Sequence, residues 1–203
     1  MRRFVLIGQT ASGSGDYSVE DLPGSSGRLD VLLRCVRAAL LFSHGLRGNV
    51  LVYLVLRGGA TAARLLRIDG RTAKFLRPDE RSLATLVKKT LQAMPTPGAS
   101  FQEVRPGIEL RLGDVPEILA EAGSAPCFVL DEAGDDLREQ SIAADDAWFF
   151  IGDHLGFDVV SRALLERHGC QPISVGPISL HSDDVVALVS NELDRRFSPR
   201  DDP

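Results

Sequence analysis

The sequence predicts an α/β fold in which helices flank one mostly parallel sheet, and three observations support this prediction. Short apolar runs at 127–134, 147–154 and 173–180 lack polar–apolar alternation, which is typical of strands buried on both faces of a parallel sheet. Segments with helical spacing separate these runs. Two runs lead into glycine-containing loops at 152–154 and 175–177, where the main chain can approach a ligand closely. Because ligands of such sheets bind beyond the strand ends, the sequence predicts a small-molecule pocket there.

The N-terminal half of the chain supplies the first elements of this sheet. Residues 4–8 are predicted to form a strand, and a glycine- and serine-rich loop then leads into a helix over about 28–43, where apolar residues recur at helical spacing. Residues 49–56 form a nearly continuous apolar strand. A hairpin over 63–76 is expected to turn at an Asp-Gly pair. The next helix starts at Pro78, with acidic residues in its first turn as the helix dipole prefers.

The C-terminal half begins after a segment that is rich in turn-forming residues. Residues 95–107 contain three prolines and two glycines and are predicted to form a loop or hinge that connects two parts of one sheet. A strand at 108–112 and a short helix at 116–122 come before the three apolar runs. The closing helix covers 183–194, and residues 198–203 are predicted to form a frayed tail. We therefore expect one domain.

Length and composition restrict the class of protein. The chain has 203 residues, of which 44% are hydrophobic and 25% are charged, as is ordinary for a soluble globular protein. No apolar run approaches the roughly 18 residues that a membrane helix requires, so no membrane association is predicted. The three cysteines are far apart and odd in number, which argues against a disulfide framework and fits a reducing cytoplasm.

The charge is divided unequally along the chain. Residues 1–94 carry 15 Lys and Arg against 7 Asp and Glu, a net charge of +8, whereas residues 95–203 carry 8 against 21, a net charge of −13. A basic half in an acidic protein is typical of a phosphate-binding face, although the same imbalance also arises on an ordinary solvated surface. Many of the basic residues lie within one short span of the sequence, which favours a real basic patch on the surface. This basic cluster contains Arg64, Arg67, Arg71, Lys74, Arg77, Arg81, Lys88 and Lys89.

Several common kinds of site lack their sequence signatures. The four histidines show neither HExxH spacing nor a CxxC partner, so no metal site is predicted. No GxSxG motif supports a serine hydrolase, and no GxGxxG motif follows the first strand. What remains is a pocket rich in backbone groups with few titratable side chains.

Separated motifs in the chain carry a family resemblance. They are IGDH at 151–154, ISVGPISLH at 173–181 and NELD at 191–194, together with DLPGSSGRLDVLLRCVRAAL at 21–40 and RPDERSLATLVKKTL at 77–91. In this order they resemble the SPOUT methyltransferases and, among these, the tRNA pseudouridine(54) N(1)-methyltransferase family. The resemblance covers most of the chain. It implies methylation of tRNA with S-adenosylmethionine (SAM), whose sulfonium already activates the methyl group, so that the protein mainly has to position the reactants.

The resemblance also implies a site and an architecture. The cofactor is expected to sit in a deep C-terminal trefoil knot carried by residues 108–197, while residues 1–94 face the RNA. The positions that match the family's cofactor motifs are Leu130, Gly152, Val175, Gly176, Pro177, Ile178, Ser179, Leu180 and Val185. Two features depart from the family pattern. Val185 stands where the family commonly has a cysteine, and the segment between Leu130 and Gly152 is slightly longer and more acidic.

Three charged residues are candidates for the catalytic roles. Methylation of N1 of pseudouridine requires that its proton leaves, so a carboxylate or an anion-stabilising arginine is expected. Arg28 is a candidate for the developing charge or a phosphate, and Asp30 and Asp153 are candidate bases. The helix start near Arg28 favours an anion, but Ser25 or Ser26 can instead simply cap that helix, which is the commoner role of such serines.

The resemblance further implies a homodimer with the active site at the subunit interface. The closing helix carries an apolar stripe of Val185, Leu188, Val189 and Leu193, which either faces a partner subunit or packs into the core of its own. Two alternatives to the leading function stay open. One is methylation of ribosomal RNA or of another base atom with the same fold, and the other is an RNA-binding module that has lost catalysis.

Overall fold

The computed structural model describes residues 1–96, 98, 100–142 and 146–197, so the predicted tail at 198–203 lies outside the described residues. The strands, in chain order, are β1 (Arg2–Ser12), β2 (Leu41–Phe42), β3 (Gly45–Leu46), β4 (Val50–Gly58), β5 (Arg64–Asp69), β6 (Gln102–Arg105), β7 (Ile108–Leu112), β8 (Cys127–Asp136), β9 (Ala147–Gly152) and β10 (Gln171–Ser174). The α-helices are α1 (Leu22–Ser25), α2 (Leu29–Leu40), α3 (Glu80–Leu91), α4 (Val115–Ala122), α5 (Val159–His168) and α6 (Ser182–Phe197).

Eight of these strands form one sheet in the order β10-β8-β9-β1-β4-β5-β7-β6. The first five strands in this order are mutually parallel, and the last three continue the sheet in antiparallel pairs. Helices lie on both faces, so the predicted α/β class with a mostly parallel sheet is confirmed. Strand β1 occupies the middle and joins the two halves of the chain, because it pairs with β4 on one side and β9 on the other.

Burial on both faces explains the unalternated apolar runs. On one face, Phe4 and Leu6 of β1 belong to a core shared with α2, α3 and α6. On the other face, Val5 and Ile7 pack with α4 and α5. A strand in this position has no solvent-exposed side, so every second residue cannot be polar. The apolar runs around 147–151 and 50–56 have the same cause.

The predicted hairpin over 63–76 is wrong in its second strand. Strand β5 pairs with β4 and β7, whereas residues 72–76, which the structure describes, form no strand. The edge of β5 that a local hairpin would use is occupied by β7, which comes from much later in the chain. The amide of Asp69 accordingly donates to the Gly107 carbonyl at 2.9 Å, and that of Gly70 donates to the Val50 carbonyl at 3.0 Å. The segment expected to be a loop at 95–107 contains the edge strand β6.

The apolar stripe on α6 packs mainly inside its own subunit. Val189 and Leu193 are buried in the core, and Val185 packs against that core. Only Leu188 of the predicted stripe is exposed, to 41%. The predicted use of this stripe for a partner is therefore wrong for Val189 and Leu193, because α2 of the same chain already covers them.

Among the described residues, no helix is long and apolar enough to cross a membrane.

Candidate functional site

The middle of β8, the loops that follow β9 and β10, and the start of α6 surround a cavity of about 220 Å³. The carboxyl ends of parallel strands meet at one edge of a sheet, which brings these separate segments together. Eight of the nine sequence-predicted cofactor residues line this cavity, and Pro177 does not. The eight are Leu130, Gly152, Val175, Gly176, Ile178, Ser179, Leu180 and Val185.

The loop after β9 is held in a tight turn by the carboxylate of Asp153. Its two oxygens accept hydrogen bonds from the amides of Gln9 and Leu155, each at 2.8 Å. The amide of Gly156 donates to the Asp153 carbonyl at 2.9 Å and closes the turn. The hydroxyl of Ser182, the first residue of α6, donates to the Gly152 carbonyl at 2.8 Å. This part of the cavity wall is therefore attached to both β1 and α6.

The loop after β10 forms the opposite wall. The Ser174 hydroxyl donates to the Gly176 carbonyl at 2.6 Å and thereby fixes the start of this loop. Beyond it, Ile178 and Leu180 line the cavity and remain exposed. Backbone groups and apolar side chains thus dominate this wall, as is typical of pockets that bind nucleoside-like ligands.

The sequence analysis missed the acidic and aromatic part of the cavity. Asp131, Glu132, Phe157 and Arg162 line it together with the predicted residues. Asp131 accepts a hydrogen bond from Arg162 at 2.9 Å, and this bond, with a second one from the Ala133 amide, holds the pKa of the Asp131 carboxyl below its usual range. The position of Asp131 and Glu132 directly after Leu130, at the end of a predicted strand, was the signal that could have found them. The carboxylates of Asp131 and Glu132 in the cavity wall favour a cationic ligand.

Arg28 begins α2 from a left-handed backbone conformation, with φ of 65°. Its guanidinium contacts the Asp30 carboxylate at 3.0 Å, while 41% of the side chain stays exposed. Ser26 caps the helix, since its buried hydroxyl accepts from the Leu29 amide at 3.1 Å. The serine therefore has the capping role that remained open from the sequence, and the Arg28 side chain stays partly accessible to solvent.

Asp30 is buried between two arginines. Burial by itself would raise the pKa of the Asp30 carboxyl, but hydrogen bonds from Arg28 and Arg34 outweigh that effect and hold the pKa below its usual range. The Arg34 contact measures 3.0 Å. A carboxylate with a lowered pKa is a weak proton acceptor, so this environment suits Asp30 for orienting Arg28 better than for acting as a base.

The three catalytic candidates lie near one another at the carboxyl end of β1. The pKa of the Arg28 guanidinium is raised first by its hydrogen bond and charge interaction with Asp30, and then by the charge of Asp153. Thr10 of β1 donates to the Gly27 carbonyl at 2.9 Å, next to Gln9, which binds Asp153. Strand β1 therefore brings the Arg28 loop and the cavity wall to the same edge of the sheet.

Comparison with known proteins identifies the family. The family model of SAM-dependent RNA methyltransferases matches residues 1–197. The chain belongs to this family. Full-length relatives named tRNA (pseudouridine(54)-N(1))-methyltransferase include one from Methanococcoides burtonii, 41% identical over 98% of each chain, and one from Methanosarcina mazei, 42% identical over 98% of this chain and 94% of the relative. The resemblance inferred from the motifs is thus confirmed.

A solved structure supports the fold. The crystal structure of Archaeoglobus fulgidus Nep1 bound to S-adenosylhomocysteine matches with a TM-score of 0.62 and covers 95% of this chain and 97% of its own. The sequence identity is 16%, so this likeness concerns the architecture alone.

No group of three or more His, Cys, Asp or Glu side chains that could hold a metal ion occurs among the described residues of this methyltransferase.

Asp153 is expected to stabilise the methyltransferase by capping the turn after β9. Replacing it with alanine leaves the partly buried Gln9 amide and the Leu155 amide without their acceptor, and the loss of one such hydrogen bond costs about 0.5–1.5 kcal/mol. We expect Asp153→Ala to lower the free energy of unfolding by about 1–3 kcal/mol in urea denaturation. Asp153→Asn keeps one acceptor oxygen and should lose less stability. Equal stability of the alanine variant and the wild type would contradict the capping role.

Proposed function

We propose that this protein transfers the methyl group of SAM to N1 of pseudouridine 54 in tRNA. The observation that carries the proposal is the cavity itself, because segments separated by up to 55 residues in sequence, from Leu130 to Val185, supply eight of the nine matched cofactor positions to one space. Membership of the SAM-dependent RNA methyltransferase family supports the reaction type. The names of the full-length relatives support the substrate and the atom that is methylated.

In this proposal the cavity residues hold SAM by shape and backbone contacts. Gly152 and Gly176 leave the main chain accessible, while Leu130, Ile178 and Val185 supply apolar contact surface. Asp131 and Glu132 suit the positive charges of the SAM amino group and sulfonium. Val185 in place of the family's usual cysteine removes a thiol contact but keeps an apolar side chain at the wall. When bound, SAM supplies a methyl group that is already activated for transfer.

Arg28 would stabilise the charge that develops on the target base. The methyl carbon leaves the SAM sulfur and forms a bond to N1 of pseudouridine, and the N1 proton is released to water. A guanidinium beside the ring favours the anionic form of the base and so promotes loss of that proton. Asp30 keeps Arg28 in position, and Asp153 maintains the adjoining loop. Residues 1–94 present the RNA side of the enzyme and residues 108–197 the cofactor side.

The architecture implied by the family completes the proposal. We infer that the C-terminal loops form a deep trefoil knot around the cofactor, with which the parallel order of β8, β9 and β10 is compatible. We also place the enzyme in the cytoplasm, where its tRNA substrate is located and where the free cysteines Cys35, Cys127 and Cys170 would stay reduced.

The reaction is tested with two tRNA transcripts and SAM carrying a labelled methyl group. One transcript contains pseudouridine at position 54, and the matched control contains uridine there, in which the glycosidic bond blocks N1. We expect label only in the pseudouridine transcript, and mass spectrometry of the nucleosides should locate it on N1-methylpseudouridine. Label in both transcripts, or in ribosomal RNA alone, would refute the proposed target. Failure to bind SAM in calorimetry would instead indicate an RNA-binding module without catalysis.

We further propose a homodimer whose interface includes the rim of the cofactor cavity. Ile178 and Leu180 line the cavity and are exposed, and the exposed Leu155, Val159 and Val160 flank the lining residues Gly156 and Phe157 in sequence; we call these five residues the rim. Exposed apolar side chains that form a patch are typical of protein–protein interfaces. A second subunit would cover this surface and complete the walls of the active site. The rim therefore supports a dimer better than the stripe on α6 does.

The dimer is expected to dissociate when a charge is placed at its interface. Val159 is 85% exposed in the isolated chain, so Val159→Asp should not disturb the fold but would bury an unpaired charge between subunits. Light scattering should give twice the 22.0 kDa chain mass for the wild type and a monomer mass for the variant. Met94→Asp is the control, because Met94 is 86% exposed outside the rim. A monomeric wild type at micromolar concentration would refute the dimer.

A further inference from the structure

An exposed surface of five cations and one phenylalanine lies outside the cofactor cavity. We call it the cationic surface, and it consists of Lys74, Phe75, Arg77, Arg81, Lys89 and Arg105. All but Lys74 line a shallow depression of about 450 Å³ beside α3. This surface is more restricted than the basic cluster found in the sequence, and it contains an aromatic residue and an arginine that were not part of that cluster.

Some cations of the basic cluster form hydrogen bonds or ion pairs with other residues of the chain, and these cations are considered first. Arg64 is buried and donates to the Leu91 carbonyl at 2.7 Å. Arg67 pairs with Glu109 and Glu121, Arg71 pairs with Asp69, and Lys88 donates to the Tyr17 carbonyl. All four cations have intramolecular partners. Arg64, Arg67 and Lys88 are also at least partly buried and therefore poorly available to a ligand, whereas Arg71 remains 67% exposed.

The cations of the cationic surface have no ion pair with any residue in the described ranges. The helix-capping Asp79 is close enough to interact with Arg77, since its pKa is lowered mainly by hydrogen bonds from Ser82 and to a small extent by the charge of Arg77. Arg105 also has a buried Nε that lacks a hydrogen-bond partner. Unpaired positive charges that converge on one depression favour a polyanion.

Phe75 is held out into solvent in an unusual conformation. Its side chain is 83% exposed, and its φ of 64° lies in the left-handed region. A bulky residue rarely adopts this conformation because its Cβ meets the backbone. Neither burial nor backbone preference therefore explains a phenylalanine at this position. An exposed aromatic ring among cations is the arrangement on which proteins stack unpaired bases.

Arg34 connects the cationic surface to the active site. Its guanidinium contacts Asp30 at 3.0 Å, Glu80 at the start of α3 at 3.4 Å, and Asp183 at the start of α6 at 3.9 Å. Asp30 in turn binds Arg28. The beginning of α3, which carries Arg81 and follows Arg77 in sequence, is therefore linked through Arg34 to the Asp30–Arg28 pair and to the start of α6.

We propose that the cationic surface binds a single-stranded segment of the tRNA substrate, with one unpaired base stacked on Phe75 and the flanking phosphates contacted by Arg77, Arg81, Lys89 and Arg105. The proposal rests on the proposed tRNA substrate and adds a second RNA contact beyond the target nucleotide. It assigns recognition to unpaired nucleotides near the target, because a duplex does not expose the faces of its bases.

The stacking contact is tested by varying Phe75 alone. Phe75→Ala should weaken tRNA binding by about 5–100-fold, the range for loss of one stacked base. Phe75→Leu keeps apolar area without an aromatic face and should also bind weakly, whereas Phe75→Trp should bind like the wild type. Trp148, the single native tryptophan, is buried, so RNA should quench the emission of the introduced tryptophan against a constant background.

A glycine at the same position separates recognition from folding. Glycine adopts a positive φ without steric cost, so Phe75→Gly should keep or raise the melting temperature while it weakens tRNA binding. A phenylalanine that served only the fold would give the opposite result, namely a lower melting temperature and unchanged RNA affinity. The two readouts together make the proposal independent of any loss of fold.

The phosphate contacts are tested through the salt dependence of binding. In the double variant Arg81→Gln/Lys89→Gln, the slope of the logarithm of the binding constant against the logarithm of salt concentration should decrease in magnitude by about 2. Arg167→Gln is the matched control, because Arg167 is an exposed arginine of α5, in the acidic half, without an ion pair in the described ranges. Its slope should equal that of the wild type.

Wild-type RNA affinity for Phe75→Ala together with an unchanged salt slope for the double variant would overturn this proposal. That result can occur with full methylation of the pseudouridine-containing tRNA, in which case the proposed function stands and the cationic surface has no role. If the wild type instead binds tRNA but transfers no methyl group, the proposed function fails, while the affinities of the Phe75 variants still decide the RNA-binding proposal.

Discussion

A Gly152→Val variant is expected to lose SAM affinity by up to about 100-fold, because overpacking costs about 1–3 kcal/mol and 1.4 kcal/mol corresponds to about a tenfold change in affinity. A Cβ atom at Gly152 would lie 2.7 Å from two backbone atoms of Gly156 and 2.9 Å from its carbonyl oxygen. Backbone atoms cannot give way locally, so the whole turn after β9 has to shift. The effect reaches the cofactor through this displaced wall.

The comparison with Gly176 makes this experiment decisive. A Cβ atom at Gly176 meets nothing within 4 Å, although Gly176 lines the same cavity. Gly176→Val should therefore melt like the wild type, and its SAM affinity should fall because the new side chain occupies space at the cavity wall. Calorimetry measures the affinities, and thermal denaturation verifies the fold. Wild-type affinity in both folded variants would refute the assignment of this cavity to SAM.

An Arg28→Ala variant is expected to bind SAM normally and to transfer methyl groups about 10²–10³-fold more slowly, the usual cost of one lost anion-stabilising donor. Arg28 belongs to the loop beside the cavity but does not line it. The fold should tolerate the change, because Asp30 keeps its contact with Arg34. Single-turnover rates with saturating tRNA and SAM measure the expected loss.

The tRNA affinity of Arg28→Ala distinguishes the possible roles of Arg28, and two further variants serve as comparisons. If it binds an RNA phosphate, Arg28→Ala should weaken tRNA binding and lower the salt slope by about 1, whereas an anion-stabilising role leaves tRNA affinity nearly unchanged. Arg28→Lys keeps the charge without the planar fork of donors and should recover part of the rate. Arg37→Ala, at an exposed position of the same helix, should behave like the wild type. Near wild-type turnover of Arg28→Ala would leave this arginine with only its pairing to Asp30.

Local sequence patterns were sufficient for the fold class. Strands buried on both faces require continuous apolar runs, so the central strands β1, β4 and β9 were recognisable from the local sequence alone. The family resemblance supplied the predicted cofactor positions, and eight of these nine residues line one cavity because a parallel sheet brings its strand ends together. The same rule covers Asp131 and Glu132, which continue directly from Leu130 but which the motif positions omitted.

The roles of charged and surface residues depended on contacts between residues far apart in the chain. Asp153 is a turn cap because of Gln9, which lies 144 positions away, and Asp30 is a weak base because two arginines surround it. The hairpin after β5 was wrong since β7 takes the pairing edge, and the α6 stripe was ambiguous until α2 was seen to cover it. A hydrogen bond or a buried contact involves two segments of the chain. Sequence periodicity describes one segment and does not tell which other segment contacts it. Only the tertiary structure therefore shows which cations bind other residues of the chain and which, around Phe75, are available to bind a ligand.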